Sequence, residues 1–302
     1  MGLNVSALAD FNNEVAGLLI PKIIYAGNTG EYVSIKENIK FMEPLNLFEV
    51  DLVIQNGYGC ATTPSGSATF TQRMLQVCGR QSFDGLCLKE LDPKYLGISS
   101  LGAGEYNTTW ELANTYSELL VNQMRKSNDQ FIWGAVSGSS DACVDGLKVI
   151  ISGSTAGVEV AGATATLTDM DTMIAALSPD VADRDDLTFF MSVGNFRTFV
   201  ANIRSANSYY FDPNSITNRG GVLDMVYPYQ NIRVVGTAGL NGSGRIVLGP
   251  AKQIVIGTDL LSDTTEFSLW YDINTDQLRH RISTKLGVQV AYPEFWVSND
   301  VA

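Results

Sequence analysis

The strongest local signal in the sequence is one long amphipathic helix. Thr108 and Glu111 have the spacing of a capping box, in which a hydroxyl and a carboxylate satisfy exposed amides of the first helical turn. Side chains with helical spacing follow at Leu112, Tyr116, Leu119, Leu120 and Gln123. Gly134 supplies a stop signal. The sequence therefore predicts a helix from Thr108 to about Trp133 with a single apolar face.

Helix and strand signals alternate after this helix. The small-residue span 137–166 contains a predicted strand at LKVIIS, residues 147–152. A second helix is predicted, capped by Thr168 or Asp169 and ended by Pro179. Its apolar face consists of Met170, Met173, Ile174 and Leu177. LTFFMSV has the pattern of a buried strand, and the helical spacing of Phe196, Phe199, Val200 and Ile203 follows it directly. This alternation is typical of a packed α/β layer.

Beyond residue 222 the sequence pattern is almost entirely that of β-strands. Strands are predicted in NIRVVGT, RIVLG and KQIVIGTDLL, with a hairpin turn at 241–244. In EFSLWYDI the residues Phe267, Leu269, Tyr271 and Ile273 occupy alternate positions and so face one side of a strand. The turn follows at 274–276, and the return strand runs over 278–292. The chain is therefore expected to close on a β-hairpin.

The first third of the chain has a different texture. Residues 1–50 contain short apolar runs without a sustained helical period, which predicts an extended arm that lies on other surfaces. Residues 51–95 contain turn residues and then an alternating run that places Phe70 opposite Arg73 in parity. A long two-stranded excursion fits this pattern.

The charge of the chain disfavours a nucleic-acid partner, and its apolar stretches are too interrupted for a membrane span. The chain of 302 residues carries a net charge of -12, which disfavours dedicated binding to nucleic-acid phosphates. The stretch VAGLLIPKIIYAG is broken by Pro21 and Lys22, so the sequence predicts neither a signal peptide nor a membrane span. We expect a soluble chain that is cytosolic when it is synthesised.

Several clusters of polar residues could suggest a metal-binding or phosphate-binding site, and each has a simpler structural explanation. The four cysteines, Cys60, Cys78, Cys87 and Cys143, contain no C-x-x-C pair, so buried thiols are expected and a Cys60–Cys78 disulfide is the alternative. The acidic group PDVADRDDL lacks the glycine and glutamate of an EF-hand loop and fits a solvated turn. The glycines of GTAGLNGSG precede a strand, which favours a turn over a phosphate loop.

His280 is the only histidine, so any triad chemistry would depend on it. In the return strand it shares parity with Leu278, Ile282 and Leu286, whereas Arg279 and Arg281 face the other way. Strand parity therefore favours a structural histidine over a general base. No Walker motif, H-E-x-x-H or G-x-S-x-G is present. We predict no catalytic, cofactor-binding or metal site, and interpret the chain as a subunit of an assembly.

Three stretches carry a family resemblance: the helix NTTWELANTYSELLVNQMRKSNDQFIWG, the block TDMDTMIAALSPDVADRDDLTFFMSVGNFRTFVANI, and the ending from GPAKQIVIGTDLL to AYPEFWV. Together they resemble the major capsid proteins of tailed double-stranded DNA bacteriophages, whose coat fold is shared with encapsulins and the herpesvirus capsid floor. Residues 51–95, which include TFTQRMLQVCGRQSFDGLCLKEL, look like the extension loop of that family and are also similar to capsid proteins of crAss-like phages. The likeness is a pattern of elements spread over most of 105–297.

The resemblance implies an α+β fold with the domains of that family. These would be an N-terminal arm (1–50), an extension loop (51–95), a peripheral domain (96–160) with its spine helix at 108–133, an axial domain (161–262) and return strands of the peripheral domain (263–302). The arm and the loop would lie across neighbouring subunits. The residues expected to make those contacts are Leu18, Leu19, Ile20, Ile23, Ile24, Tyr58, Phe70 and Arg73.

The same resemblance implies a virion capsid protein that assembles in the host bacterial cytoplasm. Its subunits would form pentamers and hexamers, through head-to-tail contacts, that close into an icosahedral head around double-stranded DNA. An acidic coat suits this role, because a basic one would adhere to the packaged DNA. The arm and loop occupy the residues before the spine helix, so a separate scaffolding protein is implied, together with a portal and a possible decoration protein. No cofactor and no membrane are implied.

Two other functions fit parts of the sequence. An encapsulin-like bacterial compartment has the same coat fold but encloses cargo enzymes. A soluble β-rich binding protein or hydrolase that uses His280 belongs to a different class of protein. Loss of an observed activity in a His280→Gln variant would favour this second alternative.

Overall fold

The computed structural model describes residues 29–55, 65–87, 108–139, 142–152, 157–162, 165–206, 217–219, 222–228, 230–259, 267–272, 274–275 and 277–299. Within these ranges the helices are α1 (Thr108–Gly134), α2 (Leu147–Ser152), α3 (Leu167–Ala175) and α4 (Val193–Ala206). The strands are β1 (Ser34–Lys36), β2 (Met42–Asp51), β3 (Ser67–Gln76), β4 (Cys78–Cys87), β5 (Val158–Val160), β6 (Leu187–Ser192), β7 (Thr217–Arg219), β8 (Val222–Val226), β9 (Arg233–Thr237), β10 (Val247–Pro250), β11 (Ile254–Thr258), β12 (Phe267–Asp272), β13 (Gln277–Val290) and β14 (Val297–Asn299). The fold class is α+β, as predicted, and α1 begins and ends within a residue of its predicted bounds.

A seven-stranded sheet forms the centre of the molecule, in the order β5-β14-β10-β6-β9-β8-β7. Strand β6 pairs antiparallel with β10 and parallel with β9, and every one of its residues is buried. Phe189 and Phe190 belong to two different apolar cores. The core around Phe190 includes the end of α1, whereas the core around Phe189 includes α3 and α4. Both faces of the sheet are therefore covered, which explains the continuous apolar run in β6.

A five-stranded sheet is built around the long strand β13. Strand β4 pairs along one edge of β13 over 277–286. Strands β12 and β11 share the other edge, at 277–282 and 286–290 respectively, and β1 continues the sheet in parallel with β11. The predicted pairing of the last two strands is confirmed. Phe131 and Ile132 of α1 share a core with Leu286, Val288 and Val290 of β13, so the long helix packs on this sheet.

A third sheet contains two strands, β2 and β3, in one long hairpin. The register pairs Met42 with Gln76 at the base and Asp51 with Ser67 at the outer end. Ten residues per strand at about 3.3 Å each make this hairpin about 30 Å long. The predicted excursion was placed at 51–95, but its first strand starts at residue 42 and the residues of β4 pair in the five-stranded sheet. Pairing between distant segments decided these bounds, and local alternation alone does not reveal it.

Three further local predictions were wrong. Residues 147–152 form helix α2 and not a strand: Leu147 and Ile151, one helical turn apart, are both buried, and a short apolar run does not separate the two structures. The cap of α3 is Thr166, whose Oγ1 accepts the N–H of Asp169 at 3.2 Å. The turn at 241–244 joins β9 to β10, which lie on opposite sides of β6, so it closes no hairpin.

Gly287 sets how closely the hairpin base approaches β13. A Cβ built on Gly287 would lie 1.9 Å from the carbonyl oxygen of Gln76. We expect Gly287→Ala to force the two backbones apart and to lower the free energy of unfolding by about 2 kcal/mol, measured by urea denaturation. Gly79→Ala in β4 is the matched control, because no atom lies within 4 Å of the added methyl group. Equal losses in the two variants would contradict this account of Gly287.

Candidate functional site

One face of the β2–β3 hairpin is apolar and exposed. Its side chains come from the even-numbered residues of both strands, as the period of two requires. Phe48 and Phe70 are directly paired and their ring centroids are 4.4 Å apart, yet they remain 53% and 76% exposed. The other large exposed apolar residues of this face are Met42, Val50 and Met74. We call these five residues the apolar hairpin face. The same face also carries a polar pair, in which Gln72 Nε2 donates to Asn46 Oδ1 at 2.9 Å between the two aromatic rings and Met74. Exposed apolar side chains grouped on one face mark an interaction site.

The opposite face of the hairpin packs on the molecule near its base. Leu75 is fully buried and contacts Ile39 and Val77, with Leu45 half-buried beside them. Arg73 is half-buried on this same face, so it points away from Phe70. Lys36 and Glu43 form an ion pair with a 2.6 Å separation at the base. The two faces therefore differ, since one is anchored to the subunit and the other is open.

Backbone and side-chain hydrogen bonds fix the direction in which the hairpin leaves the subunit. The N–H of Val77 donates to the carbonyl oxygen of Phe41 at 3.0 Å. Gln289 Nε2 donates to the carbonyl oxygen of Met74 at 2.9 Å, and Tyr292 Oη donates to that of Phe48 at 3.4 Å. Both donors come from the end of β13 or directly after it. The hairpin is therefore held from its base as far as Phe48 by residues at the end of the five-stranded sheet.

A buried carboxylate joins α1 to two distant segments. Asp129 Oδ1 accepts hydrogen bonds from Thr29 N at 3.3 Å and Thr29 Oγ1 at 2.5 Å, and Oδ2 accepts from Gly239 N at 2.6 Å. Trp133 Nε1 donates to the same Thr29 hydroxyl at 2.8 Å. Burial raises the pKa of Asp129, and these hydrogen bonds act against that shift. We call Thr29, Asp129, Trp133 and Gly239 the α1 clamp.

The predicted contact residues have different outcomes. Leu18, Leu19, Ile20, Ile23, Ile24 and Tyr58 lie outside the described residues. Phe70 lies in the centre of the apolar hairpin face, and Arg73 lies on the anchored face. Sequence reasoning missed Met42, Phe48, Val50 and Met74 as members of the same surface. The signal available was the parity of MEPLNLFEV, in which Met42, Phe48 and Val50 all fall on even positions.

His280 lies in β13, paired with Leu269 of β12 and Asp84 of β4. It is only 2% exposed, and Ser82 Oγ lies 3.4 Å from its Nε2. Its neighbours of the same parity are buried too, as strand parity predicted; these are Ile282, Leu286, Val288 and Val290. Burial lowers the pKa of His280, and the nearby Asp84 carboxylate acts in the opposite direction. The arrangement is that of a histidine inside a sheet.

The lowered pKa of His280 predicts a pH dependence of stability. Because the folded chain binds the proton less readily than the unfolded chain, stability is complete above the ordinary pKa of about 6.5 and is lost as the pH falls below it. We expect the urea midpoint to decrease between about pH 7.5 and about pH 5.5. A His280→Gln variant should lose that part of the decrease. If the variant and the unmodified chain have the same pH profile, the decrease does not come from His280.

The cysteines do not follow the prediction of free thiols. Cys78 and Cys143 form a disulfide with a Cα separation of 5.8 Å, across 65 positions of sequence. Cys60, the alternative partner of Cys78, lies outside the described residues. The spacing of cysteines in sequence carries no information on which pair meets, so only the three-dimensional packing of β4 against the segment after α1 reveals this bond.

The acidic group PDVADRDDL is the remaining candidate site from the sequence. Asp186 is paired with Arg184 at 2.8 Å, and the hydrogen bond from this guanidinium lowers the pKa of Asp186. Within the described ranges, no three histidine, cysteine, aspartate or glutamate side chains come together as a metal site. Among the described helices, none combines the length and apolar character needed to cross a membrane.

Comparison with known proteins identifies the fold. The sequence matches no protein-family profile and no curated protein. Solved structures do match. A chain of the satellite phage P4 procapsid is 10% identical, with a TM-score of 0.58 over 98% of this chain and 97% of that one. A chain from Mycobacterium phage Ogopogo is 14% identical, with a TM-score of 0.57 over 90% of each chain. A chain from the capsid of an empty GTA particle is 9% identical, with a TM-score of 0.56 over 91% and 89% of the two chains.

These matches cover nearly the whole of both chains, so the likeness is one of complete folds and not of a shared module. The protein has the fold of phage capsid chains, as its resemblance to tailed-phage major capsid proteins implied.

Proposed function

We propose that this chain is the major capsid protein of a tailed bacteriophage. Its subunits assemble as pentamers and hexamers, and these close into an icosahedral head that encloses double-stranded DNA. The residues described above act by contact with other subunits and not by catalysis. Assembly takes place in the host cytoplasm, and the mature location is the virion capsid.

The apolar hairpin face is the observation that carries this proposal. A hairpin about 30 Å long that keeps Phe48 and Phe70 exposed has its apolar surface in water unless another molecule covers it. Covering about 100 Å² of apolar surface contributes about 2.5 kcal/mol. A second copy in a ring is the natural partner, because a head-to-tail contact repeats around a closing rotation. The hairpin of each subunit then covers the next subunit.

Charge supports the enclosure of DNA without tight binding. The net charge of -12 gives the shell little affinity for phosphates, so DNA can enter and leave it. A separate scaffolding protein directs the curvature of the shell, a portal occupies one vertex, and a decoration protein is a further possible partner. Arg73 is assigned to the inter-subunit contact from the anchored face of the hairpin, and Leu18 to Ile24 and Tyr58 from the arm and the loop.

Light scattering and negative-stain electron microscopy of the purified chain test the proposal. We expect five- and six-fold rings, tubes or closed shells, with or without a crowding agent. Shells that form in the host and contain DNA support a phage head, whereas shells that contain a packaged enzyme support a compartment of the encapsulin kind. A chain that stays monomeric under all of these conditions contradicts the proposal.

A further inference from the structure

The disulfide is placed where the hairpin joins the subunit. Cys78 is the first residue of β4, two residues after Gln76 at the hairpin base, and Cys143 lies between α1 and α2. Val77, which precedes Cys78, is buried, and its N–H donates a hydrogen bond to the carbonyl oxygen of Phe41. The covalent link therefore ties the base of the hairpin to the segment that follows the long helix α1.

One of the two sulfur-bearing residues is open to solvent. Cys143 is exposed, whereas Cys78 is only 3% exposed. Both line a cavity of about 490 Å³ between β4 and α1, together with Arg80, Gln81 and Ser127. The backbone N–H of Cys143 donates to Cys78 Sγ at 3.0 Å, so a hydrogen bond joins the two residues beside the disulfide. A small thiol or disulfide can thus enter beside the pair and reach Cys143 first.

We propose that Cys78 and Cys143 form a redox site that exchanges with low-molecular-weight thiols and disulfides and so fastens or releases the hairpin base. In the reduced chain the Cys143 thiolate attacks one sulfur of a small disulfide. A mixed disulfide forms, and one small thiolate leaves. The Cys78 thiolate then attacks Cys143 Sγ and expels the second small thiolate. Two protein thiols are oxidised, the small disulfide is reduced to two thiols, and those thiols carry the two protons.

The bond constrains a large part of the chain. It closes a loop across 65 positions that includes β4 and α1, and loops of this length lose much of their freedom in the unfolded state when they are closed. A reducing cytoplasm keeps such a pair as thiols, and an oxidising medium closes it. The chemistry is independent of the proposed function. Its consequence for a shell, a hairpin base that becomes fixed after release of the particle, rests on that function.

Redox titration of the purified chain tests this inference. The chain is equilibrated with reduced and oxidised glutathione, free thiols are trapped by alkylation, and linked peptides are mapped by mass spectrometry. We expect Cys78 linked to Cys143 in the oxidised buffer and both alkylated in the reduced one. Oxidation should raise the Tm by about 10 °C, from the loop length and the usual sensitivity of Tm to stability.

Two variants separate this pair from the other cysteines. Cys143→Ser should lose the Tm difference between the two buffers, and it should fold because the replaced side chain is exposed. The double variant Cys60→Ser, Cys87→Ser should keep the difference. The inference is overturned if Cys78 and Cys143 stay alkylated in the oxidised buffer, if other cysteines are linked, or if the wild-type Tm does not change. These readouts are made on subunits, so a failure to form shells leaves them intact.

Discussion

A Phe70→Asp variant is expected to fold normally and to lose assembly. Phe70 is 76% exposed in the subunit, so a carboxylate there stays in water and the Tm of the subunit changes little. In the proposed shell the same position would lie under a neighbouring subunit, where an unpaired charge would have to be desolvated. A loss of about 3 kcal/mol at each contact weakens that contact by more than 100-fold. Because every subunit repeats the contact, sedimentation should show free subunits in place of large particles.

Thr71→Asp is the matched control for this variant. It introduces the same charge one residue away, on the opposite face of the hairpin but beyond its anchored base, where Thr71 is exposed and paired with Leu47. Assembly of Thr71→Asp should resemble that of the unmodified chain. If Phe70→Asp assembles normally, the apolar hairpin face is not an inter-subunit surface. If both variants fail equally, the effect comes from charge on the hairpin and not from this face.

An Asp129→Ala variant is expected to give the largest loss of subunit stability. The substitution leaves the buried N–H and hydroxyl of Thr29 and the partly buried N–H of Gly239 without their acceptor. Each unsatisfied buried group costs about 1–3 kcal/mol, so we expect a loss of about 3 kcal/mol or more in urea unfolding. Gly239 lies directly against the α1 backbone, because a Cβ built on it would be 2.3 Å from the Asp129 carbonyl oxygen.

The neighbouring residue provides the control for the clamp. Gln130 follows Asp129 in α1 but is exposed, so Gln130→Ala should change stability by no more than about 0.5 kcal/mol. A further comparison is Asp129→Asn, which keeps one acceptor oxygen and should have an intermediate effect. A loss in Asp129→Ala no greater than that in Gln130→Ala would show that the α1 clamp contributes little to the fold.

The elements that could be predicted from the sequence are those with a local physical cause. The sequence of helix α1 combines the spacing of a capping box, a helical apolar period and a glycine stop within one stretch of chain. Strand β6 is a short apolar run because the sheet is covered on both sides. The burial of His280 follows from parity in β13, and the turn before that strand is short enough to be recognised.

The features that could not be predicted depend on contacts between distant residues. Thr29 and Asp129 are 100 positions apart and Cys78 and Cys143 are 65 positions apart, and no periodicity records such contacts. The predicted bounds of the hairpin are wrong for the same reason, because only the register with β3 distinguishes β2 from the predicted arm. Residues 147–152 are rich in β-branched side chains, which favour strands, but they form helix α2 because Leu147 and Ile151 are both buried on one side of it.

A cryo-electron microscopy reconstruction of the particles formed by the chain tests the central claim most directly. We expect five- and six-fold capsomers in a closed shell, with Phe48 and Phe70 of each hairpin buried against the adjacent subunit. A reconstruction in which these two rings face solvent, or in which subunits join through other surfaces into an open filament, would contradict the account.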